Sequence, residues 1–398
     1  MAEKAVMVLV LVLGMATMAW AADSQPRAFV GLNDNKTNLV LQPPAGGQVV
    51  VDGVVFRSLV DRLDAVEKQL ASAAEQQCRV VTDTTTITGL SGSAKWVGGV
   101  LAGNGKIYGV PHNSAAVLII DPTTDTADTT TITGLSGNSK WIGGVLAGNG
   151  KIYGIPRNSA SVLIIDPATE TADTTTISVI DPASVDKWRG GVLAGNGRIY
   201  GIPYNSESVL IINPTSNTAE TTTITGLSGG RKWAYGVVAR NAKIYGIPYN
   251  AKSVLIVDPN SNAVDSNTIK ASTDWTGTWH GGVLAVNGKI YGIPMDSPSV
   301  LIIDPDTNTT DVTTITALGS DCCKWWDGVN LDNGKIYSTP HRASSVLIVD
   351  PITNTVDTTV SVPGGSEKWL GGVLAGNGKI YGIPFNSASV LVIKRDCT

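Results

Sequence analysis

From residue 83 to the C-terminus, short apolar runs alternate with polar turns in a pattern that repeats seven times. In the first copy the apolar runs are 99–102, 106–110, 116–120 and 129–133, and Gly-, Pro-, Asn- and Asp-rich turns separate them. Short runs rich in Val, Ile and Thr between such turns predict β-strands. Four antiparallel strands per copy are typical of one blade of a β-propeller.

Three residue types mark the period of the repeat. Each copy contains a tryptophan, a tyrosine twelve residues later and a proline three residues after that. The tryptophans, 44 to 47 residues apart, are Trp96, Trp141, Trp188, Trp233, Trp279, Trp325 and Trp369. A period in the forties with four strands per copy favours radial blades over helical or leucine-rich solenoids. The sequence therefore predicts an all-β fold whose main domain, residues 78–398, is a seven-bladed β-propeller of four-stranded blades.

The two ends of the repeat region complement each other. The last copy stops after the run 390–393 and lacks a fourth strand, whereas 83–89 resembles a fourth strand with no blade before it. We therefore expect 83–89 to form the outer strand of the last blade, because pairing the two termini closes the ring.

The cysteine positions agree with this closure. Aligned on the repeat, Cys78 and Cys397 fall in one hairpin turn, so we expect them to form a disulfide. Cys322 and Cys323 are adjacent and are interpreted as pairing with each other or across molecules.

Residues 1–21 have the order of a secretory signal peptide. Lys4 precedes an apolar run that ends in small residues, with cleavage expected before Ala22. An uncleaved membrane anchor is the alternative. Secretion agrees with disulfide formation and with two glycosylation sequons, Asn35 and Asn308. We expect a secreted, extracellular protein with no membrane span in the mature chain.

Two segments precede the ring. Residues 22–54 are predicted to be extended, with a β-hairpin over 38–54 whose turn is Pro-Pro-Ala-Gly-Gly. Residues 55–77 have apolar residues alternating three and four apart, the spacing of an amphipathic helix or a coiled coil. This stem either associates between chains into a homo-oligomer or lies on the propeller as a linker.

The sequence motifs Gly-Lys-Ile-Tyr-Gly-Ile-Pro and Val-Leu-Ile-Ile-Asp-Pro recur within 83–394. In these motifs the chain resembles the Kelch and galactose-oxidase class of propeller repeats. The resemblance implies the architecture and no partner. Galactose-oxidase chemistry would require copper held by histidine and tyrosine ligands, and the three scattered histidines do not suit it. We expect neither a metal nor a cofactor.

Composition and motifs narrow the function. A net charge of −4 without a basic stripe argues against nucleic acid. The Asp-Pro-x-Thr turns lack the spacing of a calcium loop, and serine and threonine are too abundant for a hydrolytic triad to be recognised. No catalytic residue is assigned, and the sequence inclines against an enzyme without excluding one.

The best binding candidates occupy the position after the repeated proline. Inside near-identical turns, this slot holds His112, Arg157, Tyr204, Tyr249, Met295, His341 and Phe385. We expect exposed loop tips there, where binding specificity is commonly placed; tolerance at an exposed tip is the alternative. The tryptophans and the asparagines of these turns either line a repeated site or serve packing and turn formation.

The sequence thus favours a non-enzymatic, secreted or surface-exposed propeller that binds a glycan or an extracellular protein through the loops of one face. Two alternatives stay open. One is a structural surface or matrix protein without a specific ligand, and the other is a propeller enzyme of the hydrolase or lactonase type.

Overall fold

The structure, a computed structural model, describes residues 29–32, 39–42, 50–51, 54–55, 78–178, 181, 183–271 and 278–397. The chain divides into two compact units, 1–79 with 397–398, and 80–396. The described residues contain strands and no helix, and none of their segments is a helix that could cross a bilayer. The predicted signal peptide and residues 56–77 of the predicted stem helix lie outside the described residues.

The N-terminal unit corrects the predicted hairpin over 38–54. Strand Leu39–Gln42 pairs with Phe29–Leu32, and strand Val50–Val51 pairs with Val54–Val55, each antiparallel. Each apolar segment therefore pairs with a partner other than the one across the Pro-Pro-Ala-Gly-Gly turn. Residue 55, assigned to the helix from sequence, ends the last of these strands.

Seven four-stranded antiparallel sheets form the propeller, as the repeat predicts. The first strands are Trp96–Leu101, Trp141–Leu146, Trp188–Leu193, Trp233–Val238, Trp279–Leu284, Trp325–Asn330 and Trp369–Leu374. The second strands are Ile107–Pro111, Ile152–Pro156, Ile199–Pro203, Ile244–Pro248, Ile290–Pro294, Ile336–Pro340 and Ile380–Pro384. The third strands are Leu118–Asp121, Leu163–Asp166, Leu210–Asn213, Leu255–Asp258, Leu301–Asp304, Leu347–Asp350 and Leu391–Cys397. Six fourth strands are Thr126–Asp128, Thr171–Asp173, Thr218–Glu220, Ala263–Asp265, Thr309–Asp311 and Thr355–Asp357.

The seventh sheet takes its fourth strand from Cys78–Asp83 and so closes the ring. The choice of blade is as predicted, but the strand ends at Asp83 rather than covering 83–89. Cys78 and Cys397 form a disulfide with their Cα atoms 4.0 Å apart. This bond joins the two outer strands of the last blade.

An aspartate at the end of the fourth strand explains the shifted boundary. Asp128 Oδ1 accepts the backbone N–H and the hydroxyl of Thr130 at 2.6 and 2.7 Å. Such local bonds compete with the sheet ladder, so the chain turns where the sequence predicted strand 129–133. Asp83 makes the same bonds to Thr85.

The hydrophobic core lies between neighbouring blades. In one such layer, Tyr108 and Val110 of blade 1 pack with Trp141 and Ile152 of blade 2, all buried. The Trp141 indole N–H donates to the carbonyl of Ser161 at 2.7 Å. The repeated tryptophans are therefore packing residues, one of the two roles left open by the sequence.

A buried lysine before six of the seven tryptophans joins consecutive blades at the end of the ring that carries the Pro-x-Asn turns. Lys140 Nζ donates to the carbonyls of His112, Ser114 and Gly137 at 3.0, 2.9 and 2.8 Å. The equivalent lysines are Lys95, Lys187, Lys232, Lys324 and Lys368. In blade 5 a threonine replaces this lysine, and the Thr278 hydroxyl contacts two carbonyls of the preceding turn.

The asparagines of these turns have a similar role between blades. Asn113 Oδ1 accepts the N–H of Ser139, in the loop entering the next blade, at 2.7 Å. Asn158 accepts the N–H of Asp186 in the same way. The repeated asparagine therefore caps its neighbour's loop, which leaves the residue before it as the variable element of the turn.

Candidate functional site

A β-bulge at the start of every first strand directs two residues toward the ring axis. In blade 1, Trp96 pairs with Pro111 and Gly99 with Gly109, so the two residues between Trp96 and Gly99 face one residue of the partner strand. All seven blades show this shift. The first strands of consecutive blades touch around a closed circle. Because bulges redirect side chains, the first strands can present residues to the axis.

The first bulge residue differs from blade to blade. The seven residues are Val97, Ile142, Arg189, Ala234, His280, Trp326 and Leu370. The four aliphatic members are what a packed axis requires, whereas Arg189, His280 and Trp326 are departures. The sequence analysis did not identify these three residues. A signal was available, because they vary within otherwise near-identical repeat segments, as the turn residues do.

The predicted turn residues lie at the same end, and four of the seven are buried. His112, Tyr204, Met295 and His341 are 2 to 6% exposed, and Arg157, Tyr249 and Phe385 are partly exposed. This corrects the expectation of exposed loop tips. The turns lean over the axis, where the side chains contact each other and the bulge residues.

Ring contacts join the turn residues on one side of the circle. His112 and Phe385 have ring centroids 5.7 Å apart, and His341 and Phe385 have centroids 6.3 Å apart. Arg157 Nη1 contacts His112 Nε2, and its Nε forms an ion pair with Asp186. These contacts already satisfy most of the polar groups on that side.

The other side contains a denser group, here called the axial cluster. Its members are Arg189, Tyr204, Tyr235, Tyr249, His280 and Trp326.

Arg189 lies at the centre of this cluster. Its Cζ is 3.7 Å from the ring centroid of Tyr204 and 5.6 Å from that of Tyr249. Its Nη1 is 3.4 Å from His280 Nε2, and the His280 ring stacks on Trp326 with centroids 3.5 Å apart. The guanidinium is thus held by aromatic faces rather than by a carboxylate.

The second bulge residue forms a tighter layer along the axis. It is glycine in five blades and is replaced by Tyr235 in blade 4 and Asp327 in blade 6. A Cβ added to Gly190 would lie 2.8 Å from Cγ of Tyr235, and one added to Gly143 would lie 3.4 Å from its hydroxyl. The ring of Tyr235 therefore reaches across the axis, over space that the glycines leave free.

Tyr235 adopts a left-handed backbone conformation, with φ of 60°. The equivalent Gly98, Gly143 and Gly190 have φ of 77°, 73° and 69°, so Tyr235 follows the backbone that glycine adopts at this position in these blades. For a residue with a side chain the conformation costs on the order of 1 kcal/mol. An aromatic residue retained at such a cost marks a functional candidate.

Several polar atoms of the cluster have no partner at normal hydrogen-bond distance and angle. Over the described ranges, six buried side-chain polar atoms are unpaired, and four of them are Arg189 Nε, Tyr235 Oη, His280 Nδ1 and Trp326 Nε1. The other two, in Asn330 and Thr339, belong to blade 6, which also carries Trp326 and Asp327. Buried polar groups are normally paired, so this concentration needs an explanation.

The histidines of the site are uncharged near neutral pH. Burial, and then the charge of Arg157, lowers the pKa of His112 to about 4. Burial lowers the pKa of His341 to about 4 and that of His280 well below its usual value. Burial also raises the pKa of Asp327 to about 6. The histidines therefore act as neutral hydrogen-bonding and stacking groups.

The remaining candidates lie elsewhere. Cys322 and Cys323 are free thiols and do not pair with each other. Their pairing across molecules stays a prediction. Cys322 lines a surface cleft of about 660 Å³, where Arg342 Nη1 donates to its sulfur at 3.3 Å. Asn308 is exposed in a turn of blade 5, and Asn35 lies outside the described residues. The described residues hold no group of three metal-ligating side chains.

No protein-family model matches this sequence, and no curated protein matches it. The resemblance to the Kelch class is therefore limited to the propeller architecture. Similar solved structures do exist. A streptogramin B lyase is 12% identical with a TM-score of 0.65, and the match covers 80% of this chain and 98% of that one.

Two further structures illustrate the range of these neighbours. A catalytically inactive virginiamycin B lyase from Staphylococcus aureus, with quinupristin, is 10% identical with a TM-score of 0.65, covering 79% of this chain and 99% of that one. An extracellular domain attributed to a hybrid two-component system of B. thetaiotaomicron is 10% identical with a TM-score of 0.58, covering 80% of this chain and 42% of that one. At these identities the comparisons show the seven-bladed propeller fold alone.

Proposed function

We propose that this protein is a secreted or surface-exposed binding protein and that its ligand binds at the axial cluster. The observation that carries the proposal is the concentration of unpaired polar atoms on Arg189, Tyr235, His280 and Trp326. A buried polar group without a partner costs about 1 to 3 kcal/mol, and a charged one costs more. A ligand that pairs these atoms recovers part of that cost.

The fold does not need these residues. Blades 1, 2 and 7 place Val97, Ile142 and Leu370 at the first bulge position, each followed by glycine, and build the same bulge. The departures from this pattern come from consecutive blades 3 to 6 and meet at one end of the axis. Binding sites on symmetric scaffolds arise by such local breaks in the repeat.

A glycan is the ligand class that the side chains favour. Aromatic faces stack on the apolar faces of sugar rings at low entropic cost, and Tyr249 and Phe385 keep part of their surface exposed. Hydroxyl groups of a sugar can pair with the unpaired nitrogens of the cluster. An extracellular protein is the alternative ligand. The disulfide between Cys78 and Cys397 supports the extracellular setting.

The test is a glycan-array screen of the purified full chain, followed by variants at the partly exposed rim. Tyr249→Ala with Phe385→Ala should lower affinity by roughly 10- to 100-fold, on the scale of aromatic anchors. Tyr204 is 2% exposed, so its truncation would confound binding with stability. Tyr249→Phe serves as the conservative control.

Lys106→Ala with Lys151→Ala provides a control at the opposite end of the ring, where both lysines form ion pairs with carboxylates. Binding that survives the aromatic pair and is lost with the lysine pair would place the site at the wrong end. If no glycan on the array binds and no extracellular protein is captured, a purely structural role is favoured.

One observation favours an enzyme as the second candidate. His280 is buried, uncharged and carries an unpaired Nδ1, and its ring is 5.2 Å from that of Tyr235. Because Nε2 faces the donor Nη1 of Arg189, the neutral ring carries its proton on Nδ1, which can donate a hydrogen bond that polarises a bound substrate. The test is to incubate quinupristin and simple lactones with the parent chain and with His280→Gln, and to follow their conversion by mass spectrometry. Conversion by the parent chain that is lost in the variant would show that the protein is an enzyme rather than a binding protein.

A further inference from the structure

The charge and hydrogen-bonding character of the axial cluster narrow the ligand class further. Over the described residues, Arg189 forms no ion pair, whereas Arg157, a second guanidinium at this end, is paired with Asp186. Asp186 is the nearby carboxylate that favours the charged form of Arg189, but it is engaged by Arg157. Burial lowers the pKa of Arg189. A guanidinium nevertheless stays protonated in proteins, because its intrinsic pKa is very high.

The stacking fixes how this guanidinium meets a ligand. With Cζ 3.7 Å from the centroid of the Tyr204 ring, a face of the planar group is covered. Its N–H groups point outward in the plane, and an edge of two parallel N–H donors matches the two oxygens of a carboxylate.

The other unpaired atoms also favour an acceptor-rich ligand. Arg189 Nε and Trp326 Nε1 can only donate, and Tyr235 Oη and the Nδ1 of neutral His280 are able to donate. Burial, and then the nearby carboxylate of Asp327, raises the pKa of Tyr235. The cluster therefore contains several donors, one uncompensated positive charge and no carboxylate of its own.

We infer that the axial cluster binds an anionic group of its ligand, a carboxylate or a sulfate ester on a sugar, with Arg189 as the residue that pairs with it. The inference rests on the proposed function and deepens it. Specificity follows from the same geometry: a neutral analogue leaves the guanidinium unpaired, and discrimination of this kind is large because the cost of the unpaired charge remains.

The experiment measures the stabilisation of the full chain by defined small anions. Thermal unfolding is followed with glucuronate, glucose 6-sulfate and glucose, because a ligand that binds the native state raises the unfolding temperature. We expect both anions to raise the unfolding temperature by an amount that increases with their concentration, and this effect to become smaller as salt is added. Glucose should have at least ten-fold lower apparent affinity. The relative effect of the carboxylate and the sulfate identifies the source of the charge.

Two variants assign the effect to Arg189. Arg189→Gln should abolish the response to both anions, measured against its own unfolding temperature without ligand, because the variant also loses the stacking of the guanidinium on Tyr204. Arg198→Gln is the matched control: it lies in the same blade, is partly exposed and is 3.9 Å from Glu220. It should respond to the anions like the parent chain.

The inference is overturned if the parent chain is insensitive to both anions, or if Arg189→Gln responds as the parent does. These outcomes are separate from the array screen. If neutral glycans bind on the array and Arg189→Gln does not change their affinity, glycan binding stands but the anionic group is rejected. If the anions stabilise the chain but no glycan binds on the array, the anion site stands and the glycan proposal is rejected.

Discussion

The Nζ of Lys140 lies 3.0 Å from the carbonyl oxygen of His112, although the two residues belong to different blades. The His112 side chain in turn contacts Phe385 and Arg157, two other residues of the variable turn position. A contact that holds the ring together thus also fixes the backbone of a candidate binding residue. The buried lysines and the variable turn residues form two layers of one structure, with structural groups outside and candidate ligand groups inside.

Removing this lysine should destabilise the ring. Lys140→Met keeps the length of the side chain but leaves three carbonyl contacts of Lys140 Nζ unmade, and we expect a loss of about 2 kcal/mol in the free energy of unfolding. Lys151→Met, at the opposite end, breaks one exposed ion pair and should change stability by less than about 0.5 kcal/mol. Denaturant unfolding of both variants measures the difference. If Lys140→Met is as stable as the parent chain, the cost of desolvating the ammonium group cancels the free energy of its hydrogen bonds.

Stability should fall between pH 6.5 and pH 4. The pKa values of His112 and His341 are about 4 in the folded chain and near 6.5 when unfolded, so the unfolded state binds more protons in this window. Each histidine then removes up to roughly 3 kcal/mol on acidification. Asp327, whose pKa is raised to about 6, acts in the opposite direction because its folded form takes up the proton first.

Unfolding free energies measured at pH 7, 6, 5 and 4.5 test this dependence. The double variant His112→Gln with His341→Gln should show a pH slope lower by about two protons. An unchanged slope in the double variant would show that these side chains are not the titrating groups.

The disulfide should contribute strongly to stability because it closes a loop with a sequence separation of 319 residues. A chain-entropy treatment gives up to about 5 kcal/mol for a loop of this size. Cys78→Ser, Cys397→Ser and their combination should lose the same amount, and reductant should bring the parent chain to the same midpoint. Cys322→Ser is the control and should leave the midpoint unchanged.

The adjacent thiols should differ in reactivity. Cys322 is exposed, whereas burial, followed by the contact with the Cys322 thiol, raises the pKa of Cys323 to about 12. At pH 8 a disulfide reagent should label one thiol per native, unreduced chain and a second only after denaturation. Labelling should disappear in native Cys322→Ser. Two fast thiols, or none, would contradict the assignment.

The stem remains a sequence prediction that sedimentation can test. If residues 55–77 associate between chains, the chain from residue 22 should be oligomeric at micromolar concentration. Leu63 and Leu70 are two of the apolar residues that recur three and four apart in this segment, and Leu63→Glu with Leu70→Glu should make the chain monomeric. Chains that sediment as monomers in both forms would favour the linker interpretation.

Local chemistry determined most of the architecture. The spacing of Trp, Tyr and Pro gave seven blades, and the unmatched ends gave both the closing strand in the last blade and the pairing of Cys78 with Cys397. These features could be predicted because strand periodicity, turn residues and repeat alignment operate within about 45 residues. The fourth-strand boundary was misplaced because the Asp128 side chain bonds the following Thr130 in place of the ladder.

The candidate site was only partly accessible from sequence. The variable turn slot pointed to the correct end of the ring, but the burial of His112 and Tyr204 follows from the inward lean of the turns and had no local signal. Arg189, Tyr235 and His280 stand in three successive blades, and each alone is an ordinary substitution in a repeat. Ring closure and the bulge of each first strand bring them together at the axis, so the contacts that define the site exist only in the folded ring.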